Sequence, residues 1–253
     1  MSAAASPHPA TVQPAGLPRR SFVARKLAAA GARFGDCNGS AVALDFGDPA
    51  GEAAAARRLG LADLSPLPRA GFKGLGTADW LAGQGIVVPA DSNRAARQAN
   101  GPLAARLAPG ELLILGGLDG AAAPVARLEA AWRAEPVPPQ APRGFPVPRA
   151  DSHAWFLLSG ACAPAAFAKL CGVDLRAQRF ADLAIAQTQI ARLSGIIVRD
   201  DLRGPDGAIL TYHLLADSAS AEYLWDCLLD AMVEFQGRPV GLTALRQLGN
   251  SQT

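Results

Sequence analysis

The run His153-Ala-Trp-Phe-Leu-Leu-Ser159, closed by Gly160, has the length and the apolar character of a buried strand. A helical pattern follows it and ends at Gly172. Beyond that point the sequence predicts a strand pair at 189–199 and 209–216 and, last, the most regular helix of the chain at 220–235. This order of strand, glycine, helix, strands and helix predicts an α+β unit.

The residues ahead of this unit repeat its order of elements. A short strand predicted at 70–73 is closed by glycine, and a helix-like run follows at 77–81. An apolar strand at 111–115 and a helix at 124–134, apolar at helical spacing, complete the series. The same order on both sides of a break in the chain predicts two related α+β halves that pack together.

Composition sets the boundaries of these halves. Residues 1–18 are rich in Ala, Pro and Ser without periodicity, which predicts a disordered tail. Six prolines between 135 and 150 forbid a helix and predict an extended linker. The predicted halves therefore span 19–134 and 151–240, and 241–253 is predicted to be a second tail.

The helix predicted at 220–235 has two different faces. Apolar residues at helical spacing, among them Leu224, Trp225 and Leu228, predict that one face packs on a core. The opposite face carries an acid at every fourth residue: Glu222, Asp226, Asp230 and Glu234. Like charges at this spacing repel by a few tenths of a kcal/mol. The row is either a solvated face, as charge runs usually are, or a docking face for a basic partner.

Several classes of protein are disfavoured by composition. A net charge of +2 with dispersed Arg residues does not supply the basic stripe of a nucleic-acid-binding protein. The four cysteines form no CxxC pair, so a metal site is not predicted. No stretch approaches the roughly 20 apolar residues of a membrane helix, and no signal peptide is visible. We therefore expect no membrane association and a cytoplasmic location.

Groups with the chemistry of catalysis are few. His213 alternates with apolar residues in a predicted strand, which favours a structural role. A relay of Asp151, Ser152 and His153 is disfavoured because neighbours in an extended chain point to opposite faces. Neither GxGxxG after a strand nor GxxxxGK[ST] occurs, which disfavours a nucleotide site. The residues predict no catalytic, cofactor or metal site.

A resemblance to the gamma subunit of heterotetrameric sarcosine oxidase is carried by four segments: Asp151-Ser-His-Ala-Trp-Phe-Leu-Leu-Ser-Gly160, Ala168-Lys-Leu-Cys-Gly-Val-Asp-Leu175, Ile185-Ala-Gln-Thr-Gln-Ile-Ala-Arg192 and Ser220-Ala-Glu-Tyr-Leu-Trp-Asp-Cys-Leu-Leu-Asp230. Two earlier segments resemble the wider aminomethyltransferase superfamily, which includes the glycine-cleavage T-protein: Leu59-Gly-Leu-Ala-Asp-Leu-Ser65 and Gly76-Thr-Ala-Asp-Trp-Leu81. Together the resemblance covers residues 55–238, and the C-terminal half carries most of it.

This resemblance implies two intertwined, related α/β halves of the aminomethyltransferase folate-binding-domain type. It also implies a non-catalytic accessory subunit of a complex that oxidatively demethylates sarcosine to glycine and transfers the one-carbon unit to tetrahydrofolate. In that family the partners are larger flavin- and folate-binding subunits. FAD, FMN, NAD and tetrahydrofolate are then expected in those partners, and no cofactor is expected in this chain.

The sequence departs from the folate-binding relatives at one turn. Those relatives have Arg-Thr-Gly-Tyr-Thr-Gly-Glu where this chain has Arg199-Asp-Asp-Leu-Arg-Gly-Pro-Asp-Gly207, and Arg199 alone matches. The loss of the acid implies that the pocket was given up. Arg199 and Arg203, the acidic helix row and exposed parts of Trp155 or Trp225 are then the predicted partner contacts, because aromatic and Arg side chains anchor interfaces.

Two alternative functions remain open. A free-standing folate-dependent aminomethyltransferase or demethylase would need a positioned acid, for which Asp91 is the candidate, although an Asx turn or a helix cap with Ser92 and Asn93 is the favoured explanation of Asp91. A folate-binding repair protein of the same superfamily would carry a Lys-Gly-Cys-Tyr type motif, whose flanking residues Cys171-Gly172 lacks.

Overall fold

The computed structural model describes residues 10–99, 101–134, 143–205 and 207–249. The strands are β1 (Arg19–Arg20), β2 (Arg33–Cys37), β3 (Ser40–Asp45), β4 (Gly60–Asp63), β5 (Arg69–Lys73), β6 (Arg94–Arg97), β7 (Leu103–Ala108), β8 (Glu111–Leu115), β9 (Phe145–Val147), β10 (His153–Ser159), β11 (Ile185–Ile190), β12 (Leu193–Arg199), β13 (Leu202–Gly204), β14 (Gly207–Ile209), β15 (Thr211–Asp217) and β16 (Arg238–Pro239). The α-helices are α1 (Ala24–Ala29), α2 (Pro49–Leu59), α3 (Thr77–Gly83), α4 (Ala123–Ala134), α5 (Arg149–Ser152), α6 (Ala163–Ala168), α7 (Ala221–Met232) and α8 (Leu242–Gly249).

The predicted internal repeat is present as a repeat of topology. One sheet contains five strands in the order β6-β7-β8-β5-β9, and another contains six in the order β11-β12-β15-β10-β4-β16. A three-stranded N-terminal sheet has the order β1-β3-β2, and β13 and β14 form a two-stranded hairpin. In the five-stranded sheet, β5 lies beside β8, and β7 and β6 follow. In the six-stranded sheet, β10 lies beside β15, and β12 and β11 follow. In both, the first strand of the half thus lies beside the last, and the two strands between them in sequence continue the sheet. A helix follows the first strand of each half, α3 or α6, and another follows the last, α4 or α7. The α+β fold with two related halves is therefore confirmed.

The halves are intertwined because each lends a strand to the other. β4 immediately precedes β5 in the chain but pairs antiparallel with β10 in the six-stranded sheet. β9 shortly precedes β10 but pairs antiparallel with β5 in the five-stranded sheet. The two crossing segments lock the sheets together, so neither half holds a complete sheet of its own.

The core lies in three layers set by strand alternation. Odd and even residues of a strand face opposite sides, and on β10 Phe156 and Leu158 face the helices while Trp155 and Leu157 face the other sheet. The central layer between the sheets is filled with apolar side chains from both, including Leu113 of β8. A separate outer layer lies under α3 and α4. The molecule is thus helix, sheet, sheet, helix in section.

Both predicted tails require correction where they are described. Residues 10–18 are ordered: the Val12 amide donates to the Phe34 carbonyl at 2.8 Å, and 14–16 form a 3-10 turn. At the other end, α8 buries Leu242, Leu245 and Leu248 in the central layer. The spacing of these leucines is helical, and their burial offsets the entropy of ordering a short helix. Residues 1–9 and 250–253 of the predicted tails lie outside the described residues.

The predicted linker is also corrected in part. Residues 135–142 lie outside the described residues, as does Asp206 in the predicted turn 205–207. Residues 145–150 are not a linker, since they form the paired strand β9 and the start of α5. β9 is an edge strand of its sheet, which is where Pro146 is tolerated because an edge position needs one fewer backbone donor.

The strand predicted at 189–199 is two strands. β11 and β12 form a hairpin around Ala191 and Arg192, whose φ angles are +47° and +67°. A two-residue turn with positive φ at both positions normally uses Gly or Asn. These residues carry no such signal, so the turn could not be recognised from composition.

Candidate functional site

The acidic row predicted on the last helix is present on the outer side of α7, but most of it is matched by cations of this chain. The ion pairs are Glu222 with Arg25 (3.2 Å), Asp226 with Lys26 (2.8 Å) and Glu234 with Lys169 (2.9 Å). Asp230 is exposed, and no described residue forms an ion pair with it. Exposed pairs of this kind contribute about 0–1 kcal/mol each. Asp230 is therefore the acid of the row that is best available to a partner.

Of the two arginines predicted as partner contacts, Arg199 is placed differently from the prediction. It is 7% exposed, and its guanidinium pairs with Asp201 and donates to the carbonyls of Ala177 and Phe180. The hydrogen bond to Asp201 raises the pKa of Arg199 above its ordinary value. A cation satisfied in this way inside the protein is a structural residue, and so Arg199 is not a surface contact.

Arg203 lies on the β13–β14 hairpin and is exposed. Its Nη2 donates to Asp182 at 3.2 Å. The predicted aromatic contacts are corrected as well, because Trp155 and Trp225 are 0% and 2% exposed and belong to the core. Neither tryptophan can anchor an interface.

A polar network joins the two halves next to this hairpin. Arg97 of β6 donates to Asp182 at 2.8 Å and to Asp200 at 2.6 Å, both of which belong to the second half. Desolvation alone would raise the pKa of Asp182, but the amide of Asp201 and the guanidinium of Arg97 outweigh it, and the pKa lies below its ordinary value. The network therefore holds its carboxylate charged.

His213 belongs to the same network. The indole Nε1 of Trp155 donates to Nδ1 of His213 at 3.0 Å, and Nε2 of His213 lies 3.7 Å from Asp200. Because an indole N–H can only donate, Nδ1 is the acceptor here. Both ring nitrogens thus face structural partners, in agreement with the predicted structural role.

His153 lies at the start of β10 and does contact Ser152, contrary to the geometric argument against that pair. Residues 149–152 form the helical turn α5, so Ser152 is not in extended backbone, and its Oγ lies 2.8 Å from Nδ1 of His153. Nη1 of Arg149 lies 3.0 Å from Nε2. A guanidinium only donates, so the ring proton is left on Nδ1, facing Ser152.

This tautomer is the wrong one for activating a serine, because a general base must present an acceptor to the hydroxyl. Burial, followed by the charges of Arg149 and Arg69, lowers the pKa of His153 to about 4. Asp151, the third member of the relay, is bonded to Arg19 instead. The triad is therefore absent from this part of the described chain.

The remaining candidates are dispersed. Asp91 is exposed on the loop between α3 and β6, where Asn93 has a φ of +60°. Cys171 is buried, and its sulfur accepts from the Val173 amide at 3.4 Å. Among the described residues, no group of three His, Cys, Asp or Glu side chains is arranged to hold a metal ion. Within the same ranges, none of the helices has the length and apolarity needed to cross a bilayer.

A cleft that the sequence did not indicate opens where the N-terminal sheet, the β4–β5 loop and α4 meet. This arginine cleft has a volume of about 390 Å³ and is lined by Arg19, Arg20, Phe22, Cys37, Asn38, Ser40, Ser65, Pro66, Leu67, Pro68, Arg69, Ala122, Val125, Ala126, Glu129 and Ala150. The adjacent Arg19-Arg20 pair was the available signal. It falls at the predicted boundary between the tail and the first half, where a charge pair alone indicates no site.

Comparison with known proteins places the fold. No family model and no curated protein matches the sequence. A chain of the heterotetrameric sarcosine oxidase from Corynebacterium sp. U-96 is similar over 76% of this chain and 94% of its own length, with 22% identity and a TM-score of 0.57. The glycine cleavage system aminomethyltransferase T from Bartonella henselae is similar over 90% of this chain, with 18% identity and a TM-score of 0.66. This chain spans 61% of that enzyme's length. At these identities the likeness establishes the fold, which is the mixed α/β fold that this chain shares with both proteins.

Proposed function

We propose that this chain is a non-catalytic accessory subunit, of the gamma type, in a heterotetrameric sarcosine oxidase complex. The observation that carries the proposal is the extent of the likeness. The aligned residues make up 94% of the oxidase chain but 76% of this one, so the oxidase chain is the shorter and has little that this chain lacks. The match to the aminomethyltransferase covers 61% of that enzyme.

The state of the titratable groups supports the same proposal. The rings of His153 and His213 contact Arg149 and Trp155, and Arg199 forms a buried ion pair with Asp201. The layer between the two sheets is filled by apolar side chains from both. These groups stabilise the fold and do not converge on a space where a substrate could react.

The proposed partners are larger flavin- and folate-binding subunits, which would hold FAD, FMN, NAD and tetrahydrofolate. The complex would oxidise sarcosine to glycine and pass the one-carbon unit to tetrahydrofolate. In this proposal the chain contributes surface and stability and takes no part in the chemistry.

Exposed apolar side chains suggest where a partner docks. Leu75 and Phe145 are 81% and 66% exposed. They lie at the same end of the five-stranded sheet, since Phe145 begins edge strand β9 and pairs with Lys73, two residues before Leu75. Large apolar side chains exposed together commonly mark interfaces. Together with Arg203 and Asp230 they are the proposed partner contacts.

One observation favours the second candidate, a free-standing folate-dependent aminomethyltransferase. The likeness to aminomethyltransferase T covers more of this chain and has the higher TM-score, 0.66 against 0.57. We give the subunit more weight because the likeness to the oxidase chain extends over 94% of that chain.

The experiment is affinity purification of the tagged chain from its native cells, with size-exclusion chromatography read at the flavin wavelengths. A yellow assembly larger than the chain, which oxidises sarcosine, supports the subunit. A colourless monomer that binds tetrahydrofolate on titration overturns it in favour of the transferase.

Two variants locate the docking surface within that experiment. Phe145→Ser should reduce recovery of the flavin-bearing partners about tenfold, since burying an aromatic side chain contributes about 1.5–3 kcal/mol. Val87→Ser is the matched control, because Val87 is 61% exposed but bonds Gln98 next to β6, the edge strand opposite β9 in the same sheet. Equal losses in both variants would contradict this surface.

A further inference from the structure

The lining of the arginine cleft has more cationic than anionic side chains. Arg19, Arg20 and Arg69 line it, against the single acid Glu129. Asp151, which bonds Arg19, lies at its edge. With that acid included, the lining and edge carry three cations against two anions, which gives the cleft a positive potential.

Arg69 supplies this potential from the floor. It is 3% exposed and donates to the carbonyls of Ser65 (2.7 Å), Arg149 (3.0 Å) and Ala150 (2.9 Å). These acceptors are neutral, so they satisfy the hydrogen bonds without cancelling the charge. Burial lowers the pKa of Arg69 to about 10, which still leaves it charged near neutral pH.

The acid nearest to Arg69 is Asp63, which is 4% exposed and accepts from the Ser65 amide at 3.1 Å. Burial raises the pKa of Asp63, while Ser21, Ser65 and the charge of Arg69 act against that rise. Asp63 therefore offsets part of the charge of Arg69, and the cations that are open to a ligand are those at the mouth of the cleft.

The two arginines at the mouth are able to engage a ligand. Arg20 is exposed, and its side chain has no ion pair or hydrogen bond to the described residues. Arg19 bonds Asp151, but both side chains are more than half exposed, and such a pair is exchanged at a cost of about 0–1 kcal/mol. The fold therefore does not depend on the present positions of these two side chains.

The rest of the cleft has the character of a small-molecule site. Leu67, Pro68 and Val125 give it an apolar wall, and Ser40 and Asn38 add polar groups. Its volume of about 390 Å³ is within the range of ligand pockets, roughly 300–1,000 Å³. The cleft is thus apolar on one side and cationic at its mouth.

We propose that the arginine cleft binds a small organic carboxylate, whose carboxylate lies at the arginine-lined mouth and whose apolar body rests on Leu67 and Val125. Guanidinium groups bind carboxylates through paired, charge-assisted hydrogen bonds. The modest excess of charge fits a monoanion better than a phosphate. This site does not depend on the proposed subunit function, because it needs no partner chain.

The test uses 2-naphthoate as probe and its uncharged amide, 2-naphthamide, as comparison. The full-length protein, in the assembly in which it purifies, is titrated with each by calorimetry at low and high salt. We expect 2-naphthoate to bind at millimolar concentration or tighter, more weakly at high salt, and 2-naphthamide to bind at least about tenfold more weakly, as the loss of ~1.4 kcal/mol gives.

Matched variants locate the binding. Arg20→Gln should weaken 2-naphthoate about tenfold, whereas Arg179→Gln, the same change at an exposed arginine outside the cleft, should not. Ala126→Trp should block the cleft, whereas Ala130→Trp, one turn further along α4 and outside the cleft, should leave binding intact. Circular dichroism checks that each variant is folded.

Three results would overturn the proposal. The first is no binding of 2-naphthoate to the unaltered protein. The second is equal binding of the acid and the amide, which would indicate an apolar surface without an anion site. The third is 2-naphthoate binding that survives both Arg20→Gln and Ala126→Trp, which would place the probe elsewhere.

Discussion

The two halves share a strand order but differ in what covers their outer faces. In the second half, α7 buries a wide stripe that includes Leu224, Trp225 and Leu228, and these residues share one continuous core with α6 and α1. In the first half, α3 and α4 bury Leu81, Val125 and Leu128 in a much smaller layer. One topology thus carries a thick and a thin outer layer.

Exposed large apolar side chains are somewhat more frequent on the half with the thin layer. Among the described residues, Leu75, Val87 and Phe145 of the first half are 81%, 61% and 66% exposed, while Tyr223 and Val233 of the second half are 50% and 70% exposed. Because the two halves share a strand order but not an outer layer, we infer that the two sheets and the layer between them determine the strand order, whereas the packing of the outer helices can vary. The second half is free to stabilise the fold, and the first half is the more open to a partner.

The largest expected effect comes from removing one buried phenylalanine in each half. Phe156 packs edge-on against Trp225 with ring centroids 5.3 Å apart, inside the thick layer. Phe72 lies 5.1 Å from Trp80, which is half-buried and can move into the space. Phe156→Ala should lower the free energy of unfolding by about 4–5 kcal/mol and Phe72→Ala by about 3 kcal/mol.

Urea unfolding followed by circular dichroism and by tryptophan fluorescence measures both. Because β4 and β9 are exchanged between the sheets, both variants should shift one common transition. Leu75→Ala is the control and should change stability by less than about 0.5 kcal/mol. Two separate transitions, or a larger loss for Phe72→Ala, would break the comparison.

A smaller effect is expected at the glycine that ends the first strand of each half. Gly160 has a φ of +107°, and a Cβ there would lie 2.4 Å from the backbone of Arg58. Gly74 has a φ of +130°, but its Cβ would lie 3.0 Å from Gly144. Gly160→Ala should therefore cost about 3 kcal/mol, and Gly74→Ala about 1–2 kcal/mol.

Thermal unfolding of the two variants measures the difference. Gly172→Ala is the matched control, since a Cβ there meets nothing within 4 Å. It should change stability by less than about 0.5 kcal/mol. If Gly160→Ala and Gly74→Ala lose the same amount of stability, the backbone around Gly74 accommodates a Cβ no better than the backbone around Gly160, and the predicted difference between the halves is contradicted.

The strands that the sequence predicted best are the buried ones. The predicted bounds 111–115 and 153–159 are those of β8 and β10, because a continuous apolar run bounded by turns leaves one interpretation. The exchange of β4 and β9 could not be predicted from local pattern. Residues 60–63 are next to β5 in the chain, and pairing with β10 is decided by the packing of whole sheets.

The candidate surface was predicted in part for a similar reason. The acidic row is where helical spacing put it, but the cations that match it come from α1 and from the end of α6, far away in the sequence. Arg199 was expected on the surface, yet Asp201 only two residues later lets it be buried as a pair. Sequence spacing gives the face of a helix and does not give what lies across from it.

The free energy of unfolding should depend on pH through His153, which lies where the first strands of the two halves begin, and this effect should be of intermediate size. Nη2 of Arg69, at the start of β5, donates to the carbonyl of His153 at 2.5 Å, at the start of β10. Burial lowers the pKa of His153 to about 4, and the charges of Arg149 and Arg69 oppose protonation, while Asp217 and Glu111 favour it. In the unfolded chain its pKa is about 6.5.

Between these values the unfolded chain binds a proton that the folded protein rejects. The stability contribution is therefore complete above pH about 6.5 and is lost as the pH falls toward about 4. The loss should be about 1–2 kcal/mol, since the ring is only half-buried and solvent screens part of it. In His153→Gln the slope of unfolding free energy over this range should flatten. An unchanged slope would assign it to another group.

The smallest expected effect tests whether the acidic face of the second half belongs to the fold. Asp226→Asn removes an exposed ion pair with Lys26 and should cost at most about 0.5–1 kcal/mol. Asp230→Asn removes a charge with no described counter-ion, four residues from Asp226 and from Glu234, and should stabilise by about 0.2–0.5 kcal/mol through relief of repulsion. Both effects should shrink at high salt, as measured by urea midpoints.

If Asp230→Asn also reduces recovery of the flavin-bearing partners while Asp226→Asn does not, then the unmatched acid serves the interface, and the thick half contributes to docking as well as to stability. If recovery is unchanged in both, the row is a solvated face, and the proposed contacts that remain are Leu75 and Phe145 of the thin half and Arg203 of the β13–β14 hairpin.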